Sequence, residues 1–207
     1  NVEGSDGGFT LATRMTYLPV QVKDLQKKDV TFISLTPRTT FDHSASRGGT
    51  MRERAILYHM LYNLPWAHGK RRQTYRMGLL NLLQGKAGKQ SWRDTKGWYH
   101  LASNHYKDTK SKEREKKIQC KFCIDDNLGI ELRKEVRKDA DVYNKLKVCA
   151  DSFKRFKKNT TYEDRELRYS VIGKLRKLLA HTCVTALEPD LVIMDEFQRF
   201  KDLLGGK

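Results

Sequence analysis

Two patterns of apolar positions divide the chain: short runs bounded by turn residues, and longer stretches in which apolar side chains return every three or four residues. The run Val30 to Leu35, VTFISL, alternates and is β-branched, and it stops at Thr36-Pro37, where proline disfavours a helical conformation for the preceding residue. A buried strand ending in a loop is predicted there. Before it, the Gly-rich and polar stretch Asn1 to Phe9 reads as a mobile end or connector. After it, TTFDHSASRGGT is turn chemistry, and MRERAILYHMLYNL places Ile56, Met60 and Leu61 at helical spacing. A second helix is predicted across Tyr75 to Leu83, and Gly85 to Gly97 reads as an exposed connection. Lys107 to Lys117 is almost entirely polar and contains the charge run KSKEREKK. Helical patterning returns from Leu128 to Lys158, with Leu132, Val136, Val142, Leu146 and Phe153 as its apolar members. It returns again from Asp164 to Leu187, where Leu167, Val171, Leu175, Leu178, Leu179, Thr182 and Ala186 form a stripe. Glu188-Pro189 ends that helix, and Leu191 to Met194, LVIM, suits the central strand of a parallel sheet. Helix, loop and strand in that order is the grammar of α/β folds.

Charge adds a second division. The chain of 207 residues carries 41 Lys and Arg against 25 Asp and Glu, a net charge of +16. Between Lys70 and Thr160 there are 25 basic and 11 acidic residues, so this middle holds a surplus of 14. The expected organisation is a near-neutral α/β body from residues 1–65 and 165–207, interrupted by a basic, mostly helical insertion over 66–164. An excess of this size favours polyanions through steering and counterion release, so nucleic acid is the expected partner. The competing reading is a solvated basic surface that keeps the protein soluble. Hydrophobic residues at 38% are enough for a folded body. No apolar run approaches the roughly 20 residues needed to span a bilayer, and the N-terminus lacks a secretory signal, so a cytoplasmic protein without membrane contact is expected. The missing initiator Met and the ending LLGGK suggest a piece of a longer protein.

The densest chemistry lies in Pro189 to Gln198, PDLVIMDEFQ, where an apolar strand delivers Asp195 and Glu196 at its C-terminal edge. Nucleotide hydrolysis needs two carboxylates there: Asp195 would hold Mg²⁺ through water, and Glu196 would polarise the attacking water. The competing reading makes both residues caps of a following helix, FQRFKDLL.

The full stretch PDLVIMDEFQRFKDLL resembles motif II of superfamily 2 helicase-related ATPases with Swi/Snf-like motors, a bacterial group often linked to defence against foreign DNA. The upstream VTFISLTPRTTFDHSASRGGTMRERAILYHML is similar to the segment that precedes motif II in the same group. The resemblance implies a partial first RecA-like P-loop motor domain, with Thr36, Pro37 and Arg38 at motif Ib against strand phosphates. It also implies a coupling role for Gln198, ATP with Mg²⁺ as cofactor, and DNA rather than RNA as partner. A Walker A segment and a second RecA-like domain would have to come from the rest of the parent protein, since no phosphate-binding loop is present and the chain alone should not hydrolyse ATP.

Other constellations are weaker. Cys120 and Cys123 have the spacing of half a zinc site, and His100 and His105 could complete it, with Cys149 able to replace one histidine; reduced thiols are the plainer reading. Trp66, Trp92, Trp98, Tyr99 and Tyr106 are interleaved with Lys70, Arg71, Arg72, Arg76, Arg93 and Lys96, a mixture that stacks bases and meets phosphates, or else simply packs a helical core. Lys154, Arg155, Lys157 and Lys158 are either phosphate contacts or a solvated helix face. Three functions therefore compete: an ATP-driven helicase or translocase, a non-catalytic nucleic-acid-binding module with an optional zinc site, and an interaction scaffold.

Overall fold

Thr50 starts the first helix, α1 (Met51–Leu61), through a reciprocal cap. Its hydroxyl accepts from the Glu53 amide at 3.2 Å, and the Glu53 carboxylate accepts from the Thr50 amide at 2.6 Å. Ile56, Met60 and Leu61, the predicted apolar face, are fully buried, as are Ala55 and Leu57. The computed structural model describes residues 9–12, 15–20, 31–34, 48–64, 69–101, 122–155 and 160–187. Of the chemistry named above, Thr36, Pro37, Arg38, Trp66, His105, Tyr106, Cys120, Lys157, Lys158, Leu191 to Met194, Asp195, Glu196 and Gln198 lie outside those residues.

The predicted helix over Tyr75 to Leu83 is the middle of a longer one, α2 (Gly69–Gln84). The stretch expected as an exposed connection instead folds as α3 (Lys89–Gly97), which docks on α1 through buried Trp92 and Thr95, three residues apart. The Leu128 to Lys158 region divides into α4 (Asp126–Lys138) and α5 (Ala140–Ser152). Asp139 makes the division: its amide donates to the Glu135 carbonyl at 3.1 Å, ending α4, and its carboxylate accepts from the Val142 amide at 3.0 Å, starting α5. The last predicted helix is α6 (Tyr162–Leu187). Val171, Leu175, Leu179 and Thr182 of its stripe are buried, Leu167 and Leu178 are half-buried and Ala186 is exposed.

The strands are short. β1 (Phe9–Ala12) pairs in parallel with β2 (Thr31–Ser34), in register from Phe9 opposite Thr31 to Ala12 opposite Ser34. β3 (Tyr99–Leu101) pairs in parallel with β4 (Phe122–Ile124), with His100 opposite Cys123. A 3-10 helix, Met15–Val20, lies against α6 and buries Met15 and Leu18.

The described helices share one core. Its tightest contact is between α2 and α5, where Leu79, Leu82 and Leu83 bury in the same core as Leu146, Cys149 and Ala150. Gly78 permits this approach: a methyl group built there would stand 2.6 Å from the Ala150 carbonyl carbon and 2.7 Å from its Cα, and closer still to its oxygen. Asn81 ties the same crossing by donating to the Phe153 carbonyl at 2.8 Å.

This architecture overturns the RecA-like expectation. Such a motor carries its nucleotide loops on the edge of a multi-stranded parallel sheet flanked by helices. Among the described residues the strands form only two separate two-stranded pairs, and the core is helical. The alternation in VTFISL does make a strand, Thr31–Ser34, but its described partner is the four-residue Phe9–Ala12, which begins at the last residue of the stretch expected to be a mobile connector. The α/β fold class, the resemblance to a superfamily 2 motor, and the helicase and ATP-hydrolase functions drawn from it are therefore not supported by the fold. Among the described residues no helix is long and apolar enough to cross a membrane.

Candidate nucleic-acid interface

On α1, Tyr58 and Tyr62 stand four residues apart, so both side chains emerge on one face, and their ring centroids are 6.0 Å apart. Each ring carries a cation. Lys96 from α3 places its Nζ 5.1 Å from the centre of the Tyr58 ring, and Arg76 from α2 places its Cζ 3.9 Å from that of Tyr62. Burial raises the Tyr58 hydroxyl pKa above its ordinary value and Tyr62 adds to the rise, while Arg76 opposes it. Burial lowers the Lys96 ammonium, and Arg93 pushes the same way.

The row continues at both ends. Arg76 also donates to the Asn63 side-chain oxygen at 2.7 Å, and exposed Arg72, one helical turn earlier, donates to the same oxygen at 3.0 Å. Asn63 thus holds two guanidiniums side by side. Near the other end, exposed Arg52 on α1 lies over half-buried Trp98, Cζ to ring centre 5.8 Å. The last turn of α3 is tied to α1 by His59, whose Nε2 donates to the Lys96 carbonyl at 2.9 Å. The result is a strip of Arg52, Trp98, Lys96, Tyr58, Tyr62, Arg76 and Arg72 in which each of the three aromatic rings carries a cation.

Below the surface lies a buried ion pair. Arg176 of α6 reaches Glu53 of α1 at 3.0 Å, with side chains 2% and 1% exposed. Thr16 donates to the same carboxylate at 2.7 Å. Burial alone would raise the Glu53 carboxyl, but the Thr50 amide, the Thr16 hydroxyl and Arg176 overcome it and hold the pKa below its ordinary value. Gly49, at φ 60°, lets Arg176 through: a side chain there would strike its Nε at 2.6 Å.

Beside this pair, at the N-terminal end of α1, is a cleft of about 230 Å³. Arg54, Arg168 and Lys86 line it with Met51, Leu83, Gly85, Ala87, Tyr169 and Ile172, and none of these nine residues is acidic.

The sequence-predicted residues are distributed unevenly over this structure. Arg72 and Arg76 fall on the strip, as do Lys96 and Trp98. Trp92 and Tyr99, also considered as stacking residues, are core, 2% and 3% exposed. Lys70 and Arg71 stand in the first turn of α2, with only their backbone described. Lys154 and Arg155 are exposed just after α5. Of the zinc candidates, His100 and Cys123 lie within the described residues and their backbones pair across β3 and β4, and among the described residues no group of three or more His, Cys, Asp or Glu could hold a metal ion. The zinc-containing alternative is thus not supported, and Cys149 is buried with its thiol pushed up to about 12 by desolvation. Tyr58 and Tyr62 were not singled out from the sequence, where their i, i+4 spacing looks the same as that of core residues. No protein-family model, curated protein or solved structure matches this chain.

Proposed function

We propose that the chain is a non-catalytic nucleic-acid-binding domain that holds a single strand along the α1 strip. The observation that supports this reading is the pair of neighbouring rings, Tyr62 and Tyr58, flanked by Arg72 and Arg76 at one end and Lys96 at the other. Phosphates attract the cations, and bases stack on the ring faces the cations leave. Arg76 and Lys96 exchange a cation–π contact for a phosphate contact, so the free protein keeps its rings covered and its cations close to where the strand arrives. The net charge of +16 draws either DNA or RNA to the surface, and base stacking accepts either.

Fluorescence anisotropy with labelled single-stranded DNA, single-stranded RNA and duplex DNA tests the reading. Single strands are expected to bind more tightly than duplex, and Tyr62→Leu, which keeps apolar bulk, should weaken single-strand binding by about tenfold, the scale of one base–aromatic stack. Equal affinity for duplex and single strand, with Tyr62→Leu unchanged, would leave only a solvated basic surface.

A further inference from the structure

The cleft at the start of α1 poses an electrostatic question that the strip does not answer. Arg168 is 6% exposed, and its Nε is shut off from solvent without a hydrogen-bond partner among the described residues. Its guanidinium is held from one side by the Phe153 ring, 4.6 Å from Cζ to the ring centre. Gly85 lies beside it, close enough that a methyl built there would be in ordinary contact with Nη1 at 3.7 Å.

Arg54 meets it in the same cleft. One end of the Arg54 guanidinium is fixed, because Nη1 donates to both the Gly48 and Gly49 carbonyls at 3.0 Å. Its Nε, like that of Arg168, is buried and finds no partner among the described residues. Burial lowers the Arg54 pKa, and the positive charge of Arg168 lowers it further, so the two cations face each other across low-dielectric surroundings. Lys86 adds a third positive charge at the exposed rim. Met51, in the first turn of α1, also lines this space.

Two guanidiniums, one buried and one half-buried, share this cleft with Lys86 and no acidic lining residue; Glu53 and Asp164 act on them from outside it, and a small oxyanion within it would offset the repulsion that remains. We infer that the cleft lined by Arg54, Arg168 and Lys86 is a binding site for a phosphate group. A tetrahedral oxyanion offers acceptors in several directions, which suits two planar forks and a mobile ammonium. Buried Leu83 and Ile172 give the cleft an apolar lining, and Lys86 is its exposed lysine. The inference stands on the cleft alone and does not need the strand-binding reading. Arg54 nevertheless lies two turns, about 12 Å, from Tyr62 along α1, so a strand held on the strip could deliver its own phosphate.

The test uses inorganic phosphate with the full chain. Its thermal midpoint is followed against rising phosphate and, separately, against sodium chloride of equal ionic strength. A saturable upward shift with phosphate alone is expected, and the Arg168 Nε–H cross-peak should move with the same apparent affinity. Lys86→Gln, at the exposed rim, should weaken that affinity by about tenfold, the loss of one charge-assisted bond, and Arg54→Gln should weaken it further. Oligothymidylate with a 5′-phosphate or a 5′-hydroxyl then separates the sources. A preference for the 5′-phosphate that disappears in Lys86→Gln identifies a strand end; the phosphate shift without such a preference identifies free phosphate. No shift beyond that of chloride, or a shift unchanged in both variants, would overturn the site.

Discussion

Replacing glycine by alanine inside a helix ordinarily stabilises a protein by up to about 1 kcal/mol, because alanine loses less backbone freedom on folding. Gly78→Ala should do the opposite. Carbon atoms pack at about 3.5–4.0 Å, whereas the new methyl would lie 2.6 and 2.7 Å from the Ala150 carbonyl carbon and Cα. The obstacle is backbone of α5, which no rotamer change can move. To accept the methyl, α2 and α5 must separate by about 1 Å, a gap that forfeits a quarter to a half of the dispersion attraction at each contact it opens. Leu79, Leu82, Leu146 and Cys149, all completely buried, belong to the core served by this crossing. Overpacking of this kind costs up to about 3 kcal/mol, so a net destabilisation of about 2 kcal/mol remains after the gain in propensity. For a chain of this size that corresponds to a fall of about 4–8 °C in thermal midpoint. Urea denaturation followed by helix circular dichroism measures it, with Gly97→Ala as the internal standard. Gly97 ends α3 with nothing within 4 Å of a built methyl, and its substitution should be neutral or stabilising. If Gly78→Ala matched Gly97→Ala, the close α2–α5 crossing would be wrong.

The buried Glu53–Arg176 pair gives a second test: Glu53→Gln leaves a buried guanidinium without its counter-charge and should cost about 3–5 kcal/mol by the same denaturation assay. Because the Glu53 pKa is depressed in the fold, its contribution is complete above the ordinary value of 4.5 and is lost as pH falls below it. The parent should therefore lose stability in that acid window and Glu53→Gln should lose less, which melting curves across pH would show. Among the described cysteines, Cys149 and Cys183 are fully buried with thiol pKa values raised by desolvation, whereas Cys123 is half-exposed. A thiol reagent should modify Cys123 in the native protein and reach the other two only on unfolding; rapid native labelling of Cys183 would contradict the packing of α6.

The readable part of the fold was the part with periodicity. α4, α5 and α6 announce themselves because Leu132 and Val136, Val142 and Leu146, and Val171, Leu175 and Leu179 repeat every three or four residues and are buried. α3 was invisible because only Trp92 and Thr95 bury along its length and Thr95 is not apolar. β3 and β4 are three residues each, too short for alternation to register. The motor expectation arose from local patterns, a β-branched run and an acidic strand end, that carry no information about how many strands stand beside them. The strip was half legible: Arg72 and Arg76 read as basic, but Tyr58 and Tyr62 look like core residues until α2 and α3 are seen to leave them at the surface edge. Arg54 and Arg168 were missed for the converse reason, since an arginine on a helix reads as solvated and its burial depends on partners distant in sequence.

The central claim, that the α1 strip binds nucleic acid through defined cations, is tested most directly by the salt dependence of oligothymidylate binding. The logarithm of the association constant is measured against the logarithm of sodium chloride concentration from about 50 to about 200 mM. Each phosphate neutralised on a single strand contributes about 0.7 to the slope. Arg72→Gln and Arg76→Gln together should make the slope shallower by about 1.4 and weaken binding, while Lys134→Gln, which removes an exposed α4 cation paired with Glu131, should leave both nearly unchanged. Parallel lines for the parent and the double variant, or no binding by the parent at low salt, would contradict the account.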